Sequence, residues 1–390
     1  MQYRTERSLL VDCLKALAAL LIVLHHLAFY GPMGDKVRPL VPNLWDWLAD
    51  DARMAVQVFL VVAGFLCARS IAPTGMLQAS LLPAARGRFL RVALPYHVVL
   101  VIALACNELA RLILPHPSIS APPTFGQVLA HVLQQQDVLG YESLSAGLWY
   151  VAIDLQLFIL LAVLLQIGRR AEQVLQFSRA KRPPDASTSR PPSSTSHTPV
   201  LLVAFAGLAS LLYFNRDPEW EPWGVFFFGV YALGALAWWS SRDPNGGWWL
   251  VAMTACTVVA LSIAFRERLV VALVVALLLG ICARRRPSTE PAAAQGLQIG
   301  HPDRLVRATR WLATNSYAIF LVHFPICVVV NAVFTKSAPH TPAWQAIGIM
   351  AAVAASIAAG ALFHARVESP ILRRLSHRPA GAMPQAPVAS

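Results

Sequence analysis

Histidine changes charge near neutral pH, so an imidazole held in apolar surroundings is first a candidate for moving protons. Among the histidines in apolar runs, His25 and His26 lie in the run 9–29 and His323 in the run 312–334. The first run also holds Asp12 and Lys15. At about 100° and 1.5 Å per helical residue, Lys15 and His26 lie within about 20° on one face and about 16 Å apart along the axis. That face carries a cation near the cytoplasmic end and an imidazole in the outer half. His25 points about 100° away, toward a neighbouring helix or lipid.

Two further clusters reach into apolar runs. Asp154 and Gln156 follow Trp149 in Gly147-Leu148-Trp149-Tyr150-Val151-Ala152-Ile153-Asp154-Leu155-Gln156, in the outer half of their run, and His323 falls near the middle of its own. Arg88 and Arg91 share a helical face with Pro95 and suit a two-armed grip on phosphate. Each residue also has a plainer reading. Lys15 can reach headgroups, the histidines can satisfy interhelical hydrogen bonds, Trp149 can anchor at the interface and the arginines can simply set topology.

Ionisable groups inside apolar runs require elements that shield them from lipid. Of 390 residues, 56% are hydrophobic and 13% charged, and the mean hydropathy is +0.54. A soluble domain has roughly 25% charged residues. The composition therefore excludes a soluble enzyme, a disordered chain and a disulfide-stapled secreted module. Ten blocks approach the roughly 20 residues a bilayer core takes: 9–29, 54–72, 90–113, 147–167, 199–214, 223–241, 248–265, 268–283, 312–334 and 343–364. The predicted fold is an all-α polytopic membrane protein of about ten transmembrane helices, with both termini cytoplasmic.

The basic residues support that orientation. Of the 32 Lys and Arg, 24 fall on the side of the N-terminus; the exceptions are Lys36, Arg38, Arg53, Arg111, Arg216, Arg266, Arg268 and Lys336. Such a bias marks the cytoplasmic side. The net charge of +12 thus reads as topology, with the lipid bilayer as partner and no nucleic acid. The first run has no small-residue cleavage site and is expected to remain as a span. The six cysteines show no CxxC spacing and read as small hydrophobes, and no metal site is expected.

The expected organisation is one membrane domain over 1–375, interrupted by disordered cytoplasmic loops at about 181–199 and 284–303, with a disordered tail over 376–390. The stretch from Lys181 to Pro199 is rich in Pro, Ser and Thr and cannot bury much apolar area. The absence of an evident repeat weighs against a transporter or flippase, the main rival class.

The ordered motifs resemble the membrane-bound acyltransferase family 3, whose bacterial members O-acylate surface and exported carbohydrates. Its first-span signature matches Asp12, Lys15 and His26, which selects His26 over His25. The second-span signature matches Val58–Leu66, with Ala63 in place of serine, and the arginine motif matches Arg88, Arg91 and Pro95. A tryptophan followed five residues later by an acid matches Trp149 and Asp154, here one methylene shorter than the usual glutamate. The later blocks match Ser316–Pro325, including His323, and Glu368-Ser369-Pro370.

The resemblance implies an O-acyltransferase of the bacterial inner membrane, moving an acyl group, acetyl by expectation, from cytoplasmic acyl-CoA to a sugar hydroxyl of an exported or surface glycan. The alternative acceptor is a small-molecule glycoside such as a macrolide. His26, His323 and Asp154 would be catalytic, and Asp12, Lys15, Arg88, Arg91, Trp149 and Glu368 would bind substrate. Acyl-CoA, acetyl-CoA by expectation, would be co-substrate with no tightly bound cofactor. A glycan or lipid-linked sugar and surface-polysaccharide assembly proteins would be the partners. Reporter domains fused at residue 190 and after Ser390 are expected to signal cytoplasm; an external signal at either would mean that a span is miscounted.

Overall fold

The computed structural model describes residues 8–180, 197–285 and 303–376, and among these helix is the only regular structure. Backbone groups in lipid must bond within their own segment, which favours helices from uninterrupted apolar runs. Ten long helices form: α1 (Leu9–Phe29), α2 (Ala55–Ile71), α3 (Leu81–Ile113), α4 (Leu148–Ala180), α5 (His197–Leu212), α6 (Gly224–Arg242), α7 (Gly246–Ile263), α8 (Glu267–Arg284), α9 (Arg304–Ser337) and α10 (Pro342–Phe363). They correspond one to one to the ten blocks.

Nine helical stretches among the described residues are long and apolar enough to cross a bilayer. The exception is α8, an 18-residue helix with Glu267, Arg268 and Arg284 at its ends. The polar break before it does separate two helices. Arg266 donates to Ala260 O at 3.0 Å, Ala264 O at 3.1 Å and Leu211 O at 3.1 Å, so one guanidinium takes up carbonyls at the ends of α7 and α5. Most of the two expected cytoplasmic loops and the tail lie outside the described residues. At the edge of the first, His197, Thr198 and Pro199 already belong to α5.

Helix α6 forms the centre of the larger core, buried along nearly its whole length. It approaches α2 backbone to backbone. A Cβ added to Gly64 would run into the Tyr231 carbonyl oxygen, and one added to Gly234 would run into that of Val61. Small residues allow this approach, on which helix association in lipid relies. The glycine of the second-span motif is therefore a packing requirement.

The start of α4 departs from expectation. A Cβ on Gly147 would lie 2.9 Å from Phe320 O and 3.8 Å from the His323 ring. His323 is 14 residues, about 21 Å, from the end of α9. Helix α4 thus begins inside the bundle, and Trp149, near its start, packs 5.7 Å from Phe227 rather than marking an outer interface.

The segment between α3 and α4 folds over that start. It contains the short helix Phe125–Val132, whose His131 is fully buried. The imidazole donates from Nδ1 to Gln127 O at 2.8 Å and accepts the Leu144 N–H at Nε2 over 3.0 Å. Burial holds its pKa below the usual 6.5, so the neutral ring is the folded form. Its contribution to stability is present above about pH 6.5 and declines as the pH falls through the lowered folded pKa. Thermal unfolding in detergent should show wild type losing more stability between pH 7.5 and 5 than His131→Gln, which can accept the Leu144 N–H throughout. Equal losses would show that His131 does not govern this segment.

Candidate functional site

His26 and His323 meet in the bundle interior. Their Nδ1 and Nε2 atoms lie 2.7 Å apart, with ring centroids 4.9 Å apart and planes 13° from parallel. That combination describes two rings joined edge to edge in one plane rather than stacked face to face. His323 is fully buried, and its Nδ1 contacts the carbonyls of Phe320 at 2.7 Å and Ile319 at 3.2 Å. Carbonyls only accept, so Nδ1 of His323 carries the proton. In a neutral pair its Nε2 then accepts and His26 Nδ1 donates. The remaining nitrogen, His26 Nε2, is left with an unshared electron pair and no hydrogen bond among the described residues. The chain of contacts sets the tautomer of a base.

His25 turns the other way, as the 100° step requires. Its Nδ1 contacts Leu48 O at 3.0 Å, which fastens α1 to the short helix Pro42–Asp50.

Asp154 does not join the histidines. It is buried and bonded to Arg88 Nη2, while the resemblance grouped it with His26 and His323 as a catalytic residue. The reason is electrostatic: a carboxylate taken into a low-dielectric interior needs a cation close by, and a neutral imidazole supplies no charge. The same bond engages one arm of Arg88, which the sequence offers with Arg91 as a phosphate-binding pair. Arg88 turns inward, over Phe158 at 5.6 Å, while Arg91 is exposed.

Around this ion pair sit groups that the sequence reading did not select. Tyr150, Tyr231, Tyr317 and Cys67 lie within electrostatic reach of Arg88 and Asp154. Arg88 Nε, Asp154 Oδ1 and the Tyr317 hydroxyl are buried and lack hydrogen-bond partners among the described residues, whereas the Tyr231 hydroxyl lies within hydrogen-bond reach of the Cys67 thiol. Five helices, α2, α3, α4, α6 and α9, contribute to this layer. Tyr317 precedes His323 by six residues, about 9 Å of helix. Tyr317 stood in the matched block Ser316–Pro325, whereas for Tyr150 and Tyr231 the sequence signal was a polar hydroxyl in an apolar run, which interface tyrosines share.

The other expected residues are dispersed. Asp12 is buried in the first turn of α1, and Lys15 is partly buried one turn further on. Glu368 accepts from His364 Nδ1 at 2.7 Å within a π-helical turn that follows α10.

The ion pair makes a separable prediction. Arg88→Ala leaves Asp154 buried without its cation and should cost about 3 kcal/mol of stability, read as a lowered melting temperature in detergent. The double variant Arg88→Met with Asp154→Leu should recover most of that loss. If the single variant melts like wild type, the pair does not hold these helices.

The comparisons accord with this architecture. The family model described as an acyltransferase domain, acyltransferase family 3, matches residues 9–361, a stretch that contains both histidines and the Arg88–Asp154 pair. No curated protein and no solved structure matches the chain. With nearly the whole described bundle inside that match, the chain belongs to acyltransferase family 3 and is a multi-pass membrane acyltransferase.

Proposed function

We propose that this acyltransferase moves an acetyl group from cytoplasmic acetyl-CoA to a sugar hydroxyl of an exported or surface glycan at the outer face of the bacterial inner membrane. The observation that carries the reading is the hydrogen-bonded chain from the Phe320 carbonyl through His323 to His26, which leaves His26 Nε2 as a base.

The donor half rests on distance and polarity. Lys15 and His26 are about 16 Å apart on one face of α1. The pantetheine arm between phosphate and sulfur has twelve bonds, about four residues' worth of backbone, and reaches about 14 Å when extended. Phosphate near Lys15 therefore brings the thioester toward His26. The arm carries two amides, and the unpartnered hydroxyl of Tyr317 is suited to donate to one of their carbonyls on the way. Arg88 keeps its bond to Asp154, so the grip on phosphate falls to Lys15 rather than to an Arg88–Arg91 fork.

The transfer then balances without another reagent. A sugar hydroxyl gives its proton to His26 Nε2 as its oxygen attacks the thioester carbon. The C–O bond forms, the C–S bond breaks, and the imidazolium returns the proton to the leaving thiolate. His323 accepts the His26 Nδ1–H throughout, holding the ring in place and easing its transient positive charge. In this scheme His26 is catalytic and His323 is a positioning residue. Asp154 acts through Arg88, and Trp149, Asp12 and Glu368 shape the walls.

His26→Ala should lower acetyl transfer by about 10²–10⁴-fold with acetyl-CoA affinity largely retained. His323→Ala should cost about 10²-fold through misplacement of His26, and His323→Gln, which can still accept from Nδ1, should regain part of it. The measurement is transfer from radiolabelled acetyl-CoA by protein in vesicles, with O-acetyl content of cell-surface glycans compared in a deletion strain. Near-normal transfer by a folded His26→Ala protein would overturn the assignment.

A further inference from the structure

On the outer side of His26 the bundle holds a narrow crevice. Its walls come from the end of α1 (His26, Tyr30), the segment after α3 (His116, Ser118) and the outer half of α9 (Phe324, Asn331). It has room for little more than one water-sized group beside the protein atoms. A sugar ring does not fit inside, but a single hydroxyl entering from the mouth does.

Most polar atoms of the lining are already committed. Asn331 donates to Tyr30 O at 3.2 Å and accepts the Met33 N–H at 3.4 Å, holding the corner where Gly31 adopts φ +91°. Ser118 directs both its N–H, at 3.2 Å, and its Oγ, at 2.8 Å, to His116 Nδ1. A backbone N–H only donates, so His116 Nδ1 accepts, and the neutral ring carries its proton on Nε2. Among the described residues His116 Nε2 has no hydrogen bond. The crevice is thus lined by two imidazoles of opposite polarity. His26 offers an acceptor nitrogen and His116 offers a donor N–H.

We infer that this crevice is the acceptor subsite and that His116 reads the oxygen next to the one being acylated, selecting alcohols with a second oxygen on the neighbouring carbon, as on a sugar ring. This rests on the acyl-transfer reading above. The attacking hydroxyl donates to His26 Nε2, and the neighbouring oxygen accepts from His116 Nε2–H. The aromatic rings of Tyr30 and Phe324, 5.2 Å apart, supply the apolar wall between.

The test uses minimal acceptors that can present a hydroxyl at the mouth of the crevice: ethylene glycol and ethanol, with acetyl-CoA as donor and the full chain in vesicles. Wild type should acetylate the diol with a kcat/KM about tenfold above that for the mono-alcohol, the worth of one hydrogen bond. His116→Leu should bring the two alcohols to parity per hydroxyl, the diol having two. His116→Gln, which restores an N–H, should recover part of the preference, and Tyr30→Phe should keep it. The readout is a ratio, so partial loss of folded protein does not mimic the result. The inference fails if wild type does not discriminate, if His116→Leu still prefers the diol per hydroxyl, or if Tyr30→Phe abolishes the preference. Hydrolysis of acetyl-CoA by wild type without transfer to either alcohol would also remove the acceptor subsite while leaving the donor half intact. No turnover of acetyl-CoA at all would instead defeat the acyl-transfer reading.

Discussion

The contact between His26 and His323 is the constraint from which the rest of the site follows. A polar hydrogen in a bilayer-spanning bundle has no bulk water to turn to, so it must find an acceptor on another helix. His26 finds it on α9, and His323 in turn finds carbonyls on its own helix. Because each link can run in only one direction, the chain of bonds determines where the last electron pair lies. The same contact ties the first long helix to the ninth, closing the bundle across most of the sequence. Gly147 then becomes necessary, because α4 begins against this pair and a side chain there would occupy the space of Phe320 and His323.

A second polar layer lies about 9 Å away along α9 and follows different rules. Arg88 and Asp154 carry full charges, and their separation from the histidines keeps each pair's chemistry distinct. An imidazole beside a carboxylate would be drawn toward its charged form and cease to be a ready base. With Asp154 paired to Arg88, the histidine pair sits among apolar and aromatic neighbours such as Phe324 and Tyr30. The unpartnered Tyr317 hydroxyl and Arg88 Nε in this layer are costly to bury unless another molecule completes them. That cost is the physical argument for placing a donor arm between the two layers.

Several parts of this arrangement were legible in the residue order. The ten apolar blocks became ten long helices, because lipid leaves a backbone with few alternatives to helix. The helical step of about 100° separated His25 from His26 without any tertiary information, and His25 indeed faces a neighbouring element. Other parts were misread for one reason. Depth was inferred from where each apolar run begins, yet α4 starts well inside the bundle, so Asp154 lies deeper than its position in the run suggests. It meets Arg88, which the same reasoning had placed at the cytoplasmic surface.

The sequence by itself determined which segments enter the membrane, the period of each helix face and the residue types available for proton and charge chemistry. These are local properties, governed by hydropathy and helix geometry within a single segment. The tertiary structure alone decided which groups pair. Close approach at Gly64 and Gly234 places α6 and its Tyr231. The start of α4 inside the bundle delivers Asp154 to Arg88, and the segment after α3 brings His116 to the crevice beside His26. Hydrogen-bond direction, and with it the identity of the free base, depends on contacts between residues nearly three hundred positions apart, and such contacts leave no periodic trace in either segment.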